Sequence, residues 1–257
     1  MLLLLLVDLD VDLDPGLAAL RAPGGFFPLR AAEDPPRPLP TLAQVYARRP
    51  GNVPGDLLDL RVRKVAAALR APEPRTAASV AHLGLAARLW SVALGCAVLY
   101  GRLPVLDPGR LHWDAGASAP DDLWLPQVRP ERRAGDPAAL ADAVLRAHLV
   151  PLAAAVRARH RLAPGLLRGN AASALAGAAR TLEQWARAHG RPEAADRTRA
   201  LTAGLFADPL LAGTGTLTGT AFRRRSCCLY YRVPGSGVCG DCCFTRPPRS
   251  SPRTTSG

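Results

Sequence analysis

The chain has 257 residues and is 48% hydrophobic, enough apolar surface to bury a core in one domain or two, which excludes compositional disorder as its general character. Its formal charge of +12, almost all from arginine, admits three kinds of partner: nucleic acid, an anionic membrane surface or a small anionic ligand. No helix-turn-helix signature, zinc-finger histidine pair or RNA-binding aromatic motif accompanies that charge, so nucleic acid is not expected.

The start, Met1 to Val7, is apolar but short, lacks a basic lead-in, and runs into Asp8 and Asp10. It reads neither as a signal peptide nor as a membrane span. Val7, Leu9, Val11 and Leu13 alternate with Asp8, Asp10, Asp12 and Asp14, the pattern of a half-buried strand. Residues 15–40 are rich in Pro, Gly and Arg and predict a loop. A short helix is expected from Thr41 to Arg48, and a better one opens at Pro54-Gly55-Asp56 and runs to about Arg70. Pro72 and Pro74 then break the chain, so residues 1–75 read as a variable N-terminal region of short elements.

Residues 76–212 read as a helical domain. Thr76 is expected to cap an apolar stretch that reaches Tyr100. Arg88 sits at its centre, and a central arginine costs roughly 2.5–3.5 kcal/mol on insertion scales. The stretch is therefore predicted to be a buried helix, or two helices joined near Ser91, with Cys96 as a small core residue. His82 and Arg88 read either as a mutually satisfied polar pair in the core or as polar lining for a ligand cleft. Residues 103–128 predict a small antiparallel hairpin unit in which Trp113 and Trp124 pair across the strands. Asp136-Pro137 is an N-cap followed by proline at the first helical position, with a kink expected at Pro151 before the helix ends near Arg161. Pro164 opens a helix closed by Gly190, with Trp185 on its core face. Pro192 starts a last helix to about Ala207. His148, His160 and His189 are scattered and predicted to be surface or cap residues. Gly213 to Gly219 lacks dinucleotide-binding spacing and reads as a linker.

Five of the six cysteines fall between Cys227 and Cys243. Cys227-Cys228, ten residues, then Cys239-Gly240-Asp241-Cys242 give the spacing C-C-x10-C-x2-C. Four thiols on one loop suit a soft metal centre. In a strand Cys227 and Cys228 would point to opposite faces, so both bind only from a turn; Pro234 to Gly237 supply the flexible connection. Disulfides need an oxidising compartment, and the expected compartment is the cytoplasm. A thioredoxin-like Cys239–Cys242 site belongs beside a βαβ pattern, not in a Pro/Gly/Arg-rich tail. Structural zinc favours two spaced pairs, which a vicinal pair fits poorly. A [2Fe–2S] cluster needs two thiolates per iron, and the expected division is Cys239 and Cys242 on one iron, Cys227 and Cys228 on the other.

The run Arg224-Arg225-Ser226-Cys227-Cys228-Leu229-Tyr230-Tyr231-Arg232, with Gly235-Ser236-Gly237-Val238-Cys239-Gly240-Asp241-Cys242, resembles the C-terminal motif of FhuF-type ferric-siderophore reductases. Two further stretches fit, Ala81 to Ser91 and Leu167 to Ala172. The resemblance covers roughly residues 75–243 and implies a [2Fe–2S] cluster on Cys227, Cys228, Cys239 and Cys242; Cys243 is a departure from it. It also implies a cytoplasmic oxidoreductase that gives one electron to the Fe(III) of a ferric siderophore and releases Fe(II). No flavin or nicotinamide motif is present, so an external electron donor is required. Residues 213–245 are then the cluster-binding segment and 246–257 a disordered tail. Residues 221–257 hold seven arginines and one aspartate, Asp241. Arg223, Arg224, Arg225 and Arg232, with His82 and Arg88, are the expected substrate-binding residues. The same charge allows a weak membrane-surface association. The fold class expected is mainly α, with one β-hairpin unit and a cysteine-rich C-terminal loop. The alternative is a zinc-stapled or cluster-bearing helical module that binds or senses without reducing.

Overall fold

The computed structural model describes residues 13–47 and 56–248. The alternating N-terminal strand and the tail beyond residue 248 lie outside the described residues. The protein is mainly helical, as its periodicity predicts. In chain order the elements are β1 (Arg30–Ala31), α1 (Leu42–Tyr46), α2 (Leu57–Leu69), α3 (Pro74–Leu99), β2 (Arg102–Pro104), β3 (His112–Trp113), β4 (Leu123–Leu125), β5 (Pro130–Ala134), α4 (Pro137–Leu140), a π-helical stretch (Ala141–Leu149), α5 (Val150–His160), α6 (Pro164–Ala188), α7 (Pro192–Phe206), β6 (Gly215–Thr218) and β7 (Ala221–Arg224).

Helix starts follow their caps. Thr41 and Gln44 form a reciprocal capping box on α1, and the Asp56 carboxylate accepts from the N–H groups of Leu58 and Asp59 at the start of α2. Asp136 caps α4 through the N–H of Ala139. Thr76 does not cap α3. Glu73 precedes the helix and Pro74 takes its first turn, because proline's missing N–H is harmless there. Thr76 is buried within the first turn, and its hydroxyl has no partner.

α3 runs unbroken through Ser91 and packs most extensively on α6. Alanine, glycine and serine line much of both helices, so their backbones approach closely. Trp90 fills the space between them and donates its indole N–H to Ala171 O at 3.1 Å. Burying a side chain of this size contributes roughly 3–5 kcal/mol. Gly95 makes room on α3 for the N-terminal segment: a Cβ there would stand 2.7 Å from Leu20 Cδ2 and 2.9 Å from Phe27 Cδ1. By length and composition α3, and the helical run Pro137–His160, could each cross a membrane, but 83% of the most apolar part of α3 is buried inside the protein.

The small sheets differ from the expected hairpin. β3 and β4 are antiparallel, and β1 joins β4 in parallel. Trp113 stands opposite Leu123, and Trp124 opposite His112, so the two tryptophans are not cross-strand partners. Trp113 is buried; Trp124 is half-buried beneath the Arg30 guanidinium at 5.7 Å. The chain around Val105 does not pair with this unit; β2 instead pairs with β5.

Between α4 and α5 the helix passes Pro151 with the π-helical stretch just before it. Proline lacks the N–H that the ladder needs, and the wider turn accommodates its ring. α6 ends at Ala188, with Gly190 at φ 64°. Trp185 is half-buried rather than core, stacked on His189 at 5.2 Å. His189 is the exposed cap residue expected at this end. His148 is fully buried, between Tyr46 Oη at 3.0 Å and Leu106 O at 2.7 Å, so it is not a surface histidine. His160 is half-buried at the end of α5, 3.1 Å from Asp59. The stretch expected to be a linker is the β6–β7 hairpin, turned at Gly219-Thr220 with Gly219 at φ 60°.

Candidate metal centre

The β6–β7 hairpin delivers the chain to the cysteines. At its end Arg224 N donates to Asp241 O at 2.9 Å and Arg225 N to Thr214 O at 2.8 Å, so the two limbs of the cysteine loop are tied together. Cys227 and Cys228 lie beyond β7 in irregular chain, and Leu229 takes φ 68°. That bend frees the vicinal pair from the alternation of a strand. A 3-10 turn, Tyr230–Arg232, and a turn at Gly235 reverse the chain, with Ser236 Oγ donating to Tyr230 O at 2.8 Å. Cys242 N donates to Cys239 O at 3.1 Å and closes the C-x2-C turn.

The two halves of the motif meet: Cys228 Sγ lies 3.4 Å from Cys239 Sγ. Cys228 is buried, and Cys227, Cys239, Cys242 and Cys243 are half-buried. The thiol of Cys228 is lowered to about 6, first by the hydrogen bond it shares with Cys239, against burial, with help from backbone N–H and Arg224. The Cys239 thiol moves strongly upward through the same hydrogen bond and burial. The opposite shifts have one origin, the contact between the two sulfurs. Burial and the neighbouring cysteines raise Cys227 as well. Backbone N–H groups already address two sulfurs, Leu229 N to Cys227 Sγ at 3.3 Å and Phe244 N to Cys242 Sγ at 3.4 Å. Such bonds stabilise sulfur's negative charge and tune cluster potential.

Arg224 gives a second test of fit. It is buried, donates through Nη2 to Asn170 Oδ1 at 2.7 Å and Leu166 O at 3.3 Å, and through Nε to Ser226 O at 3.0 Å. Its Nη1 is buried with no partner. A buried guanidinium with an unspent donor, close enough to lower the Cys228 thiol, suits an anionic centre such as a four-thiolate cluster. Among the described residues, no group of three or more His, Cys, Asp or Glu side chains is arranged to hold a single metal ion. A binuclear cluster asks for something else, two pairs of thiolates on two irons. The residues present fit that group.

Polar side chains from α3 and α6 hold the loop down. Ser79 Oγ donates to Cys228 O at 2.7 Å, and Asn170 Nδ2 donates to Ser79 O at 2.9 Å. Ser226 Oγ donates to Gly165 O at 3.0 Å, and Ser173 Oγ to Asp241 Oδ2 at 2.5 Å. Gly169 permits this approach: a Cβ there would stand 2.3 Å from Ser226 Oγ and 3.0 Å from Arg224 Nη2. Sequence reasoning missed Ser79, Ser173 and Asp241 as anchors. Their signal was a hydroxyl within an otherwise apolar helical face, and a carboxylate inside an arginine-rich segment.

The expected substrate-binding residues divide. Arg223 and Arg225 are exposed, and Arg223 reaches Cys243 O at 3.5 Å. Arg232 is exposed but holds Glu73 at 2.7 Å, which spends part of its charge. Arg224 is a buried strut. His82 and Arg88 are not a pair. Arg88 bonds Asp122 at 2.8 Å and the carbonyls of Phe26 and Pro120, committing it to the core. His82 is buried, both ring nitrogens lack partners, and burial with the nearby Arg224 charge lowers it to about 3, so it is neutral.

Residues 224–244 match the family model of the FhuF 2Fe-2S C-terminal domain. The matched stretch holds all five clustered cysteines and Arg224, and a [2Fe–2S] cluster is the cofactor of this segment. No curated protein matches the chain.

Proposed function

We propose that the protein is a ferric-siderophore reductase in which Cys227, Cys228, Cys239 and Cys242 hold the [2Fe–2S] cluster. The observation that carries the reading is the Cys228–Cys239 contact beside a buried, incompletely bonded Arg224, within the segment that matches the FhuF domain. When bound, the cluster supplies a single electron. The chain's residues do the rest. Arg224 offsets the negative charge of the thiolates and favours the reduced state, and the N–H groups of Leu229 and Phe244 act in the same direction. Ser79, Asn170 and Ser173 fix the loop on the helices, so little reorganisation accompanies the change of charge. Fe(III) is hard and held tightly by chelate oxygens, whereas Fe(II) is held weakly, so one electron releases the metal. No nucleophile or general base is required. The donor is an external one-electron carrier.

The extensive burial of α3 supports a helix packed in the protein interior and not in a membrane, and the exposed Arg223 and Arg225 support a salt-sensitive association with anionic membrane surfaces. The function is tested by mixing chemically reduced protein anaerobically with a ferric siderophore. The cluster reoxidises, and Fe(II) appears in a ferrous-specific chelator one for one with the electrons lost. A reduced cluster that is indifferent to every ferric chelate offered overturns the assignment.

A further inference from the structure

A cleft of about 390 Å³ opens beside the cysteine loop. That volume lies within the range of small-molecule sites. Its floor is the seam between the two long helices. Leu83, Ala87 and Ser91 follow one another at four-residue spacing along α3, and Ser173, Gly177 and Thr181 do the same along α6. The third wall is Cys239-Gly240-Asp241, and Phe26, 46% exposed, stands at the mouth.

We propose that this cleft seats the ferric chelate and that the electron crosses to it on the Cys239 side. The inference rests on the reductase reading and adds the place. Three observations carry it. Cys239 is in contact with buried Cys228 and also lines the cleft, so it joins the thiol cluster to a space open to solvent. The polar side chains are few: Ser91, Ser173 and Thr181 on the helices, and Arg180, whose Nη1 lies 3.4 Å from Asp241 Oδ1. That pair is internally balanced, so apart from the thiol centre the lining side chains add no strong net charge. Finally, none of Arg223, Arg224, Arg225, Arg232, His82 and Arg88 lines it. The exposed arginines therefore act at most on approach, and Arg180 is the cation placed at the site. The redox step balances simply. One electron passes to Fe(III), which becomes Fe(II), and the centre returns to its oxidised form, re-reduced by an external one-electron donor; no covalent bond to the protein forms or breaks.

Gly177 makes the test clean. A Cβ added there meets no atom within 4 Å, and leucine is a better helix former than glycine, so Gly177→Leu fills the cleft without straining α6. Gly84 is the matched control. It also has open space at Cβ, but it lines a neighbouring cavity of about 400 Å³, which meets the cleft at Gly25 and Phe26, extends to Trp113 and Asp122, and is lined by no cysteine. The probe is the gallium(III) complex of a linear trihydroxamate. It is redox-inert, so binding is read without turnover, and it is uncharged, so the basic surface does not hold it. Binding to cluster-loaded protein is measured by calorimetry, and the ferric complex is then used for single-turnover reduction. Gly177→Leu, and Ala87→Phe on the facing wall, should weaken gallium-complex binding at least tenfold and slow reduction equally, with the cluster absorbance and potential unchanged. Gly84→Leu should match wild type in both. If wild type reduces the ferric complex and Gly177→Leu and Ala87→Phe bind and reduce as well as it does, the cleft is overturned while the reductase reading stands. If wild type binds the gallium complex in a Gly177-dependent way but never reduces the ferric one, the reading falls and the binding site stands.

Discussion

The α3–α6 pair and the cysteine loop lie against each other but are held by different forces. The helices interlock through small residues and Trp90, bury their apolar faces, and satisfy their own backbones. Between Arg225 and Phe244 the only regular element is a single 3-10 turn. The loop is held by a few buried polar bonds: Ser79 to Cys228 O, Arg224 to Asn170, Ser226 to Gly165 O and Ser173 to Asp241. The first region is stable by burial. The second depends on each of its pins and on what its cysteines bind. A redox centre gains from that division, because a scaffold indifferent to charge can hold a loop whose charge changes by one.

The contrast predicts that substitutions at the boundary strip the loop and spare the helices. Asn170→Ala should have the largest effect. It removes the acceptor of a buried guanidinium and a donor to Ser79, at a cost of about 3 kcal/mol. Cluster loss to an iron chelator should accelerate greatly, while far-UV circular dichroism keeps its helical signal. Loss of helix and cluster together would break the comparison. Gly169→Val comes next. In most helices it would cost little or help, but here its Cβ meets Ser226 and Arg224, with an expected cost of about 1–3 kcal/mol. The same chelator assay should show faster loss; an unchanged rate would mean that the loop does not rest on α6 as described.

A smaller effect tests the scaffold alone. Burial lowers His148 to about 4, below its ordinary value near 6.5. The unfolded chain therefore takes up a proton in that window that the folded chain refuses, so stability falls as pH drops from about 6.5 toward 4, by at most ~1.4 kcal/mol per pH unit. Buried, neutral His82 adds to the slope. His148→Gln should flatten the melting-temperature profile between pH 6.5 and 5 without changing the cluster spectrum at pH 7.5.

The helices were legible because their boundaries carry local chemistry: Asp56, Asp136, Pro164, Gly190 and Pro192 act on their own neighbours. The start of α3 was misread for the same reason, since Thr76 is a good cap by composition but Glu73-Pro74 came first. Tryptophan pairing failed because an irregular loop between Trp113 and Leu123 sets the register, and one residue of slip changes every partner. The β6–β7 hairpin was hidden by its glycines, although Gly219-Thr220 between Thr218 and Ala221 is a two-residue turn signal. In the site, the cysteines were legible as a spacing on one short loop. The surroundings of His82 and Arg88 were not, because the Arg224 charge near His82 and the Asp122 carboxylate that holds Arg88 reach them only through the tertiary fold.

The most direct test of the central claim is metal and acid-labile sulfide analysis, with absorbance spectra, across single cysteine variants purified anaerobically. Two irons and two sulfides per chain, with a brown colour, should persist in wild type, Cys96→Ser and Cys243→Ser, and should be lost in Cys227→Ser, Cys228→Ser, Cys239→Ser and Cys242→Ser. A colourless protein holding one zinc, or a cluster that survives Cys242→Ser but not Cys243→Ser, would contradict it.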